Sequence, residues 1–208
     1  MFKENNMKSF IGIFIYLISL PLFAMVPKVV PNSESLFIRQ HTPVWCWAAT
    51  SSALYNYYHP LHPVTQESIA FKNPYVTNDN YIVPYSNPIK QSIPATHDYL
   101  LDEVLSSNTH KGYLKYFSVS KAVKLLDSGN PFMLAQNFHV MIIYGYFKIQ
   151  EHTYFLIFDP NGENFGVNPF MYASENNLVN MFGEPMAVMI FVKPKEEMLA
   201  QNLTPMWD

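Results

Sequence analysis

Apolar and polar positions follow different periods along the chain, and each period predicts a different element. Residues 10–20 form an almost unbroken apolar run behind Lys3 and Lys8, and Pro21, Leu22, Phe23 and Ala24 follow it. A positive start, an apolar stretch and a small residue at a cleavage point predict a secretory signal peptide over residues 1–24, because the run is shorter than the roughly 20 residues a spanning helix needs. Residues 25–36 contain Pro27 and Pro31 and read as an extended lead-in, since proline disfavours helix in the residue before it. From 46 to 58 there is neither Gly nor Pro, alanines stand at 48, 49 and 53, and His59-Pro60 closes the segment. That pattern predicts a helix able to pack closely.

A proline-rich, loop-like stretch runs over 59–95, with one short helix expected around 65–71. A second helical segment is expected over 98–105. A third begins at Ser118 or Ser120, either of which can cap it, and stops at Gly129-Asn130-Pro131. The period then changes: 132–136, 139–146, 153–158 and 186–193 are rich in Val, Ile, Phe and Tyr and predict strands. Helices before strands describe an α+β domain rather than alternating βαβ units. One domain over 37–194 is expected, with 195–208 as a tail.

Composition narrows the classes. The 208 residues are 49% hydrophobic and 14% charged, with a formal net charge of −3, so the chain can bury a core and is not expected to be disordered. With no dense Lys/Arg run, no nucleic-acid footprint is expected. A single cysteine, Cys46, rules out an intramolecular disulfide framework and a Cys-rich zinc module. Export would carry this thiol into an oxidising compartment, secreted or periplasmic, where an unpaired cysteine is either an accident or a reagent.

As a reagent, Cys46 is well placed. It stands at the first turn of a predicted helix, where backbone N–H groups and the macrodipole favour an anion. Gln40, six residues upstream, can bring a side-chain N–H beside the thiol. With the backbone N–H of Cys46 it would form a two-donor oxyanion hole. The competing reading is a buried cysteine acting as a small hydrophobe. Among seven histidines, only His139 opens a strongly apolar strand, a rigid platform for a base, although a satisfied core histidine has the same pattern. His59 and His62 have ligand-like spacing, but the proline between them makes a poor metal clamp. Asp159 ends the next apolar strand; if the two strands pair as a hairpin through 148–152, its carboxylate reaches the His139 ring. Asp-Pro-Asn-Gly is equally an ordinary turn opener. The Asp159, Asn161, Glu163 series lacks the remaining ligands of a calcium loop.

Gln40, Cys46-Trp47-Ala48-Ala49, Gly129-Asn130-Pro131, His139, Gly145-Tyr146 and Asp159-Pro160, in that order, resemble the papain-like cysteine peptidases. The branch they resemble is the bacterial one that includes double-glycine leader peptidases and secreted effector peptidases of plant pathogens. The resemblance covers roughly residues 37–193, with Phe138 where related sequences usually place Gly. It implies a papain-like fold, with Cys46 as nucleophile, His139 as acid and base, Asp159 as its orienting partner and Gln40 as oxyanion donor. The expected protein is a secreted thiol protease acting on protein or peptide substrates, with no cofactor and no metal. It would be a monomer, with no stable membrane insertion after signal cleavage. Glutamine deamidation or acyl transfer through the same residues remains open, as does a catalytically silent papain-like binding module.

Overall fold

The computed structural model describes residues 26–73, 99–136, 139–162, 168–180 and 188–195. The expected signal peptide, most of the proline-rich stretch and nearly all of the tail lie outside the described residues. Helix α1, Cys46–Tyr58, has the bounds its Gly- and Pro-free sequence predicts. It is not amphipathic in the usual sense. Ala48, Ala49, Thr50, Ser51, Ser52, Ala53 and Leu54 are all buried, so small side chains let the helix sit deep in the molecule. Helix α2, Gln66–Lys72, packs beside it and is capped by Thr65, whose hydroxyl accepts from the Ser68 N–H at 3.2 Å.

The helical segment expected over 98–105 is present from Tyr99 on, and it takes the wider π-helical form over Leu100–Val104, with Leu105 N–H closing on Leu100 O at 2.7 Å. Its few residues are held by burial of Leu100 and Val104, not by propensity. Helix α3, Val119–Asp127, begins after Ser118, but that hydroxyl does not cap it and meets Ser120 Oγ at 3.1 Å. Its end follows the sequence more closely. Gly129, at φ 74°, turns the chain so that Asn130 N–H reaches Leu125 O and Gly129 N–H reaches Leu126 O, the paired bonds of a glycine-terminated helix. Tyr57 and Tyr58 of α1 donate to Gly129 O and Asn130 Oδ1, which anchors that turn against the central helix.

The strands build one antiparallel sheet. They are β1 (Lys28–Val29), β2 (His110–Tyr116), β3 (Phe132–Gln136), β4 (His139–Ile149), β5 (His152–Phe158), β6 (Phe170–Ser174) and β7 (Val188–Pro194), with a short helix α4 (Glu175–Asn180) after β6. Their order is β2-β7-β3-β4-β5-β6, and β1 takes the edge of β4 beyond the end of β3. The lead-in is therefore partly sheet, with Lys28 opposite Tyr146 and Val29 opposite Gly145. Strands β2 and β6 have no counterpart among the expected elements: Lys111, Gly112 and Lys115 interrupt the apolar pattern of β2, and the apolar run of β6 is only four residues, Phe170 to Ala173. Phe132 to Ala135, Met141 to Ile143 and Met189 to Val192 are buried without alternation, so both faces of the middle of the sheet are covered.

Candidate active site

Three elements deliver the chemistry-bearing side chains. Helix α1 presents Cys46 at its first turn, after a turn in which Trp45 N–H bonds Thr42 O at 3.2 Å. Strand β4 presents His139 at its start. The pairing of β4 with β5, Ile142 opposite Phe158 and Ile149 opposite His152, brings the residue after β5 to the same end of the hairpin. That residue is Asp159, whose Oδ1 lies 2.8 Å from His139 Nε2. The same oxygen accepts the Asn161 N–H at 2.8 Å, which fixes the carboxylate in its turn.

The other side of the imidazole faces the thiol. Burial by itself would lower the pKa of His139; the hydrogen bonds to Asp159 and to Cys46, with their charges, outweigh it and push the value up to about 10. Asp159 is the complement: burial would raise its carboxyl, and the His139 hydrogen bond and charge, with the Asn161 N–H, hold it below the usual carboxylate range. Since Nε2 is engaged by Asp159, Nδ1 is the ring atom left to exchange a proton with sulfur. Cys46 is only 5% exposed, and the side chains of His139 and Asp159 are 18% and 13% exposed, so the pair sits in a sheltered setting that strengthens its electrostatics. Phe138 lies outside the described residues.

Gln40 reaches this end of the molecule on the arm before α1. Its backbone N–H donates to Pro160 O at 3.0 Å, which ties the arm to the turn that carries Asp159. Its Nε2 donates to Thr42 O at 2.6 Å, while its buried Oε1 has no hydrogen-bond partner among the described residues. One Nε2 hydrogen is thus committed to the chain and the second is left for an acceptor.

The sequence pattern of the Peptidase_C39 like family matches residues 34–180. The chain belongs to that family. That family is part of the papain-like cysteine peptidase superfamily, and the helices-then-sheet order of this chain, with Cys46 opening α1, agrees with that fold. The match supports the peptidase side of the resemblance drawn from the sequence; nothing supports its plant-pathogen side. No curated protein matches the chain.

In this family member two further residues bear on the arm without having been singled out by sequence. Gln66, buried at the start of α2, accepts from His41 N–H at 2.9 Å and donates to Arg39 O at 2.8 Å. Beside it Glu67 pairs with the His41 ring through His41 Nδ1 and Glu67 Oε1. The backbone N–H of Glu67 at the helix start holds the Glu67 carboxyl below its usual range; burial opposes this, and His41 and Thr65 add smaller contributions in the same downward direction. No local motif marks either residue, because their partners lie 25 or more residues away in sequence. Away from this end, His59 and His110 pack edge to face at 5.0 Å. Among the described residues no group of three or more His, Cys, Asp or Glu side chains is arranged to hold a metal ion. No helix there is long and apolar enough to cross a membrane.

Proposed function

We propose that the protein is an exported cysteine peptidase that hydrolyses peptide bonds through Cys46, His139 and Asp159, with Gln40 and the Cys46 N–H stabilising the oxyanion. The observation that supports this reading most is one imidazole bonded on Nε2 to Asp159 and coupled on its other side to the only thiol. His139 takes the thiol proton and holds it as an imidazolium oriented by Asp159. The thiolate attacks the scissile carbonyl, and negative charge builds on the carbonyl oxygen as the bond to sulfur forms. His139 returns the proton to the leaving amine. Water, deprotonated by the same ring, then cleaves the thioester and frees the second product.

The direct test is alkylation of the full chain by iodoacetamide at neutral pH. Selective labelling of Cys46 is expected, with a clear slowing in His139→Ala. Labelling that is slow, or indifferent to the loss of His139, refutes the nucleophile assignment. Incubation with a protein mixture and mass spectrometry then identifies the reaction. New peptide termini that disappear in Cys46→Ser are expected; one-dalton shifts at glutamine would assign deamidation instead. If the biological effect survives in Cys46→Ser, the protein is a binding module.

A further inference from the structure

We propose that Gln66 is the positioning residue of the oxyanion arm: it holds the backbone on both sides of Gln40 and so sets where the Gln40 amide points. This deepens the peptidase reading and rests on it. In an extended chain, residues on either side of a given position turn their N–H and C=O groups to one edge, and the residue between them turns its own to the other edge. The arm follows that rule. Arg39 O and His41 N–H both meet the Gln66 side chain, at 2.8 and 2.9 Å, while Gln40 N–H meets Pro160 O at 3.0 Å. A single primary amide, with one donor and one acceptor in fixed geometry, therefore stands in for a neighbouring strand on one edge. The Asp159 turn supplies the other edge.

Gln66 is 3% exposed and Gln40 is 4% exposed, so water does not compete for either set of bonds. The Thr65 cap fixes the first turn of α2 and with it the origin of the Gln66 side chain. The contact of the Glu67 carboxyl with the His41 ring adds a second, exposed tie from the same helix to the same arm. An oxyanion donor misplaced by a few tenths of an ångström loses much of its value, because its worth lies in being fixed before the charge appears. Gln66 does not touch the reacting atoms. It acts through Gln40.

The test separates a reaction that develops an oxyanion from one that does not. Acylation of Cys46 by p-nitrophenyl acetate passes through a tetrahedral oxyanion, whereas alkylation by iodoacetamide displaces iodide at a saturated carbon and needs no oxyanion hole. In Gln66→Met, which keeps length and removes both hydrogen bonds, acylation is expected to fall roughly 10- to 100-fold while alkylation stays within about twofold. Gln40→Ala should give the same split. The double variant should acylate no more slowly than Gln40→Ala alone, since the two residues act as one unit.

Should Gln66→Met fail to fold, Gln66→Glu keeps the acceptor for His41 N–H and turns the Arg39 end from donor to acceptor; the same split is expected. Unchanged acylation in the variant, a parallel fall of acylation and alkylation, or multiplicative losses in the double variant overturns the proposal. Wild-type protein that does not acylate at Cys46 removes the peptidase reading and this inference together. Wild-type protein that acylates no faster than Gln66→Met removes only the inference.

Discussion

His139 holds a proton where burial would strip it, because Asp159 and Cys46 sit on its two sides. The folded ring keeps its proton up to about pH 10, whereas an unfolded imidazole releases it near 6.5. Between those values the native state binds a proton that the unfolded state has lost. The stabilisation is therefore complete below about pH 6.5 and drains away as pH rises towards 10. The advantage of wild type over His139→Gln in thermal unfolding should be largest near pH 6 and shrink steadily on the alkaline side; a margin that grows with pH would contradict the assignment. Removing the sulfur's share in Cys46→Ser should move the ring titration, followed by NMR, to lower pH. Asp159→Asn keeps the shape but no longer holds the tautomer that leaves Nδ1 free, and the acylation rate is expected to fall on the order of a hundredfold or more. Of these residues, Cys46 was legible because a helix start is a local signal. Asp159 became legible only through the expected hairpin, since its own Asp-Pro-Asn-Gly context reads as a turn. Gln66 was not legible at all: it is an ordinary residue in a short helix, and its function lies in contacts with Arg39 and His41, which the sequence holds far away.

Among the elements, those built by local rules were the ones readable in advance. Helix α1 and strand β3 carry the expected bounds, and α3 ends at the expected glycine. Elements that depend on neighbours were missed: the strand β2, the edge strand β6 and the strand β1 that lies along β4. Gly145 explains the last of these. The β4–β5 register shifts between Ile143 and Gly145, and a Cβ on Gly145 would stand 2.5 Å from Lys28 O. The backbone of β1 occupies the space a side chain would need. Gly145→Val should therefore cost about 1–3 kcal/mol in denaturant unfolding. It should also raise hydrogen exchange at the Val30 amide, which donates to Tyr144 O in this pairing. Exchange left at wild-type rates would mean that β1 docks by other means. A second element-level outcome concerns Gly129, where alanine would adopt the left-handed φ of 74° at a cost of about 1 kcal/mol.

For the molecule as a whole, the core sequence pattern and the family agree, yet the order in which strands lie beside one another was not to be read from the chain. The last described strand, β7, is not at an edge. It lies between β2 and β3 and bonds to both, Tyr113 and Phe132 each facing Phe191. Residues contributed before it, including the β4–β5 hairpin that joins His139 to Asp159, can pair early because their contacts are local. Within the sheet, among the described residues, β2 is hydrogen-bonded to them only by way of β7, although His110 also packs on His59 at the end of α1. Removing residues 188–208 should leave a chain that retains some hairpin structure but lacks a cooperative unfolding transition, as followed by circular dichroism; a sharp transition in that truncation would mean that β2 closes on β3 unaided. Until residue 194 has emerged, the sheet of the growing chain is divided, with the edges of β2 and β3 unpaired where β7 will lie. The molecule thus behaves as a lock whose key is the segment 188–194, and its synthesis leaves an interval in which a chaperone meets a chain that has not yet become a sheet.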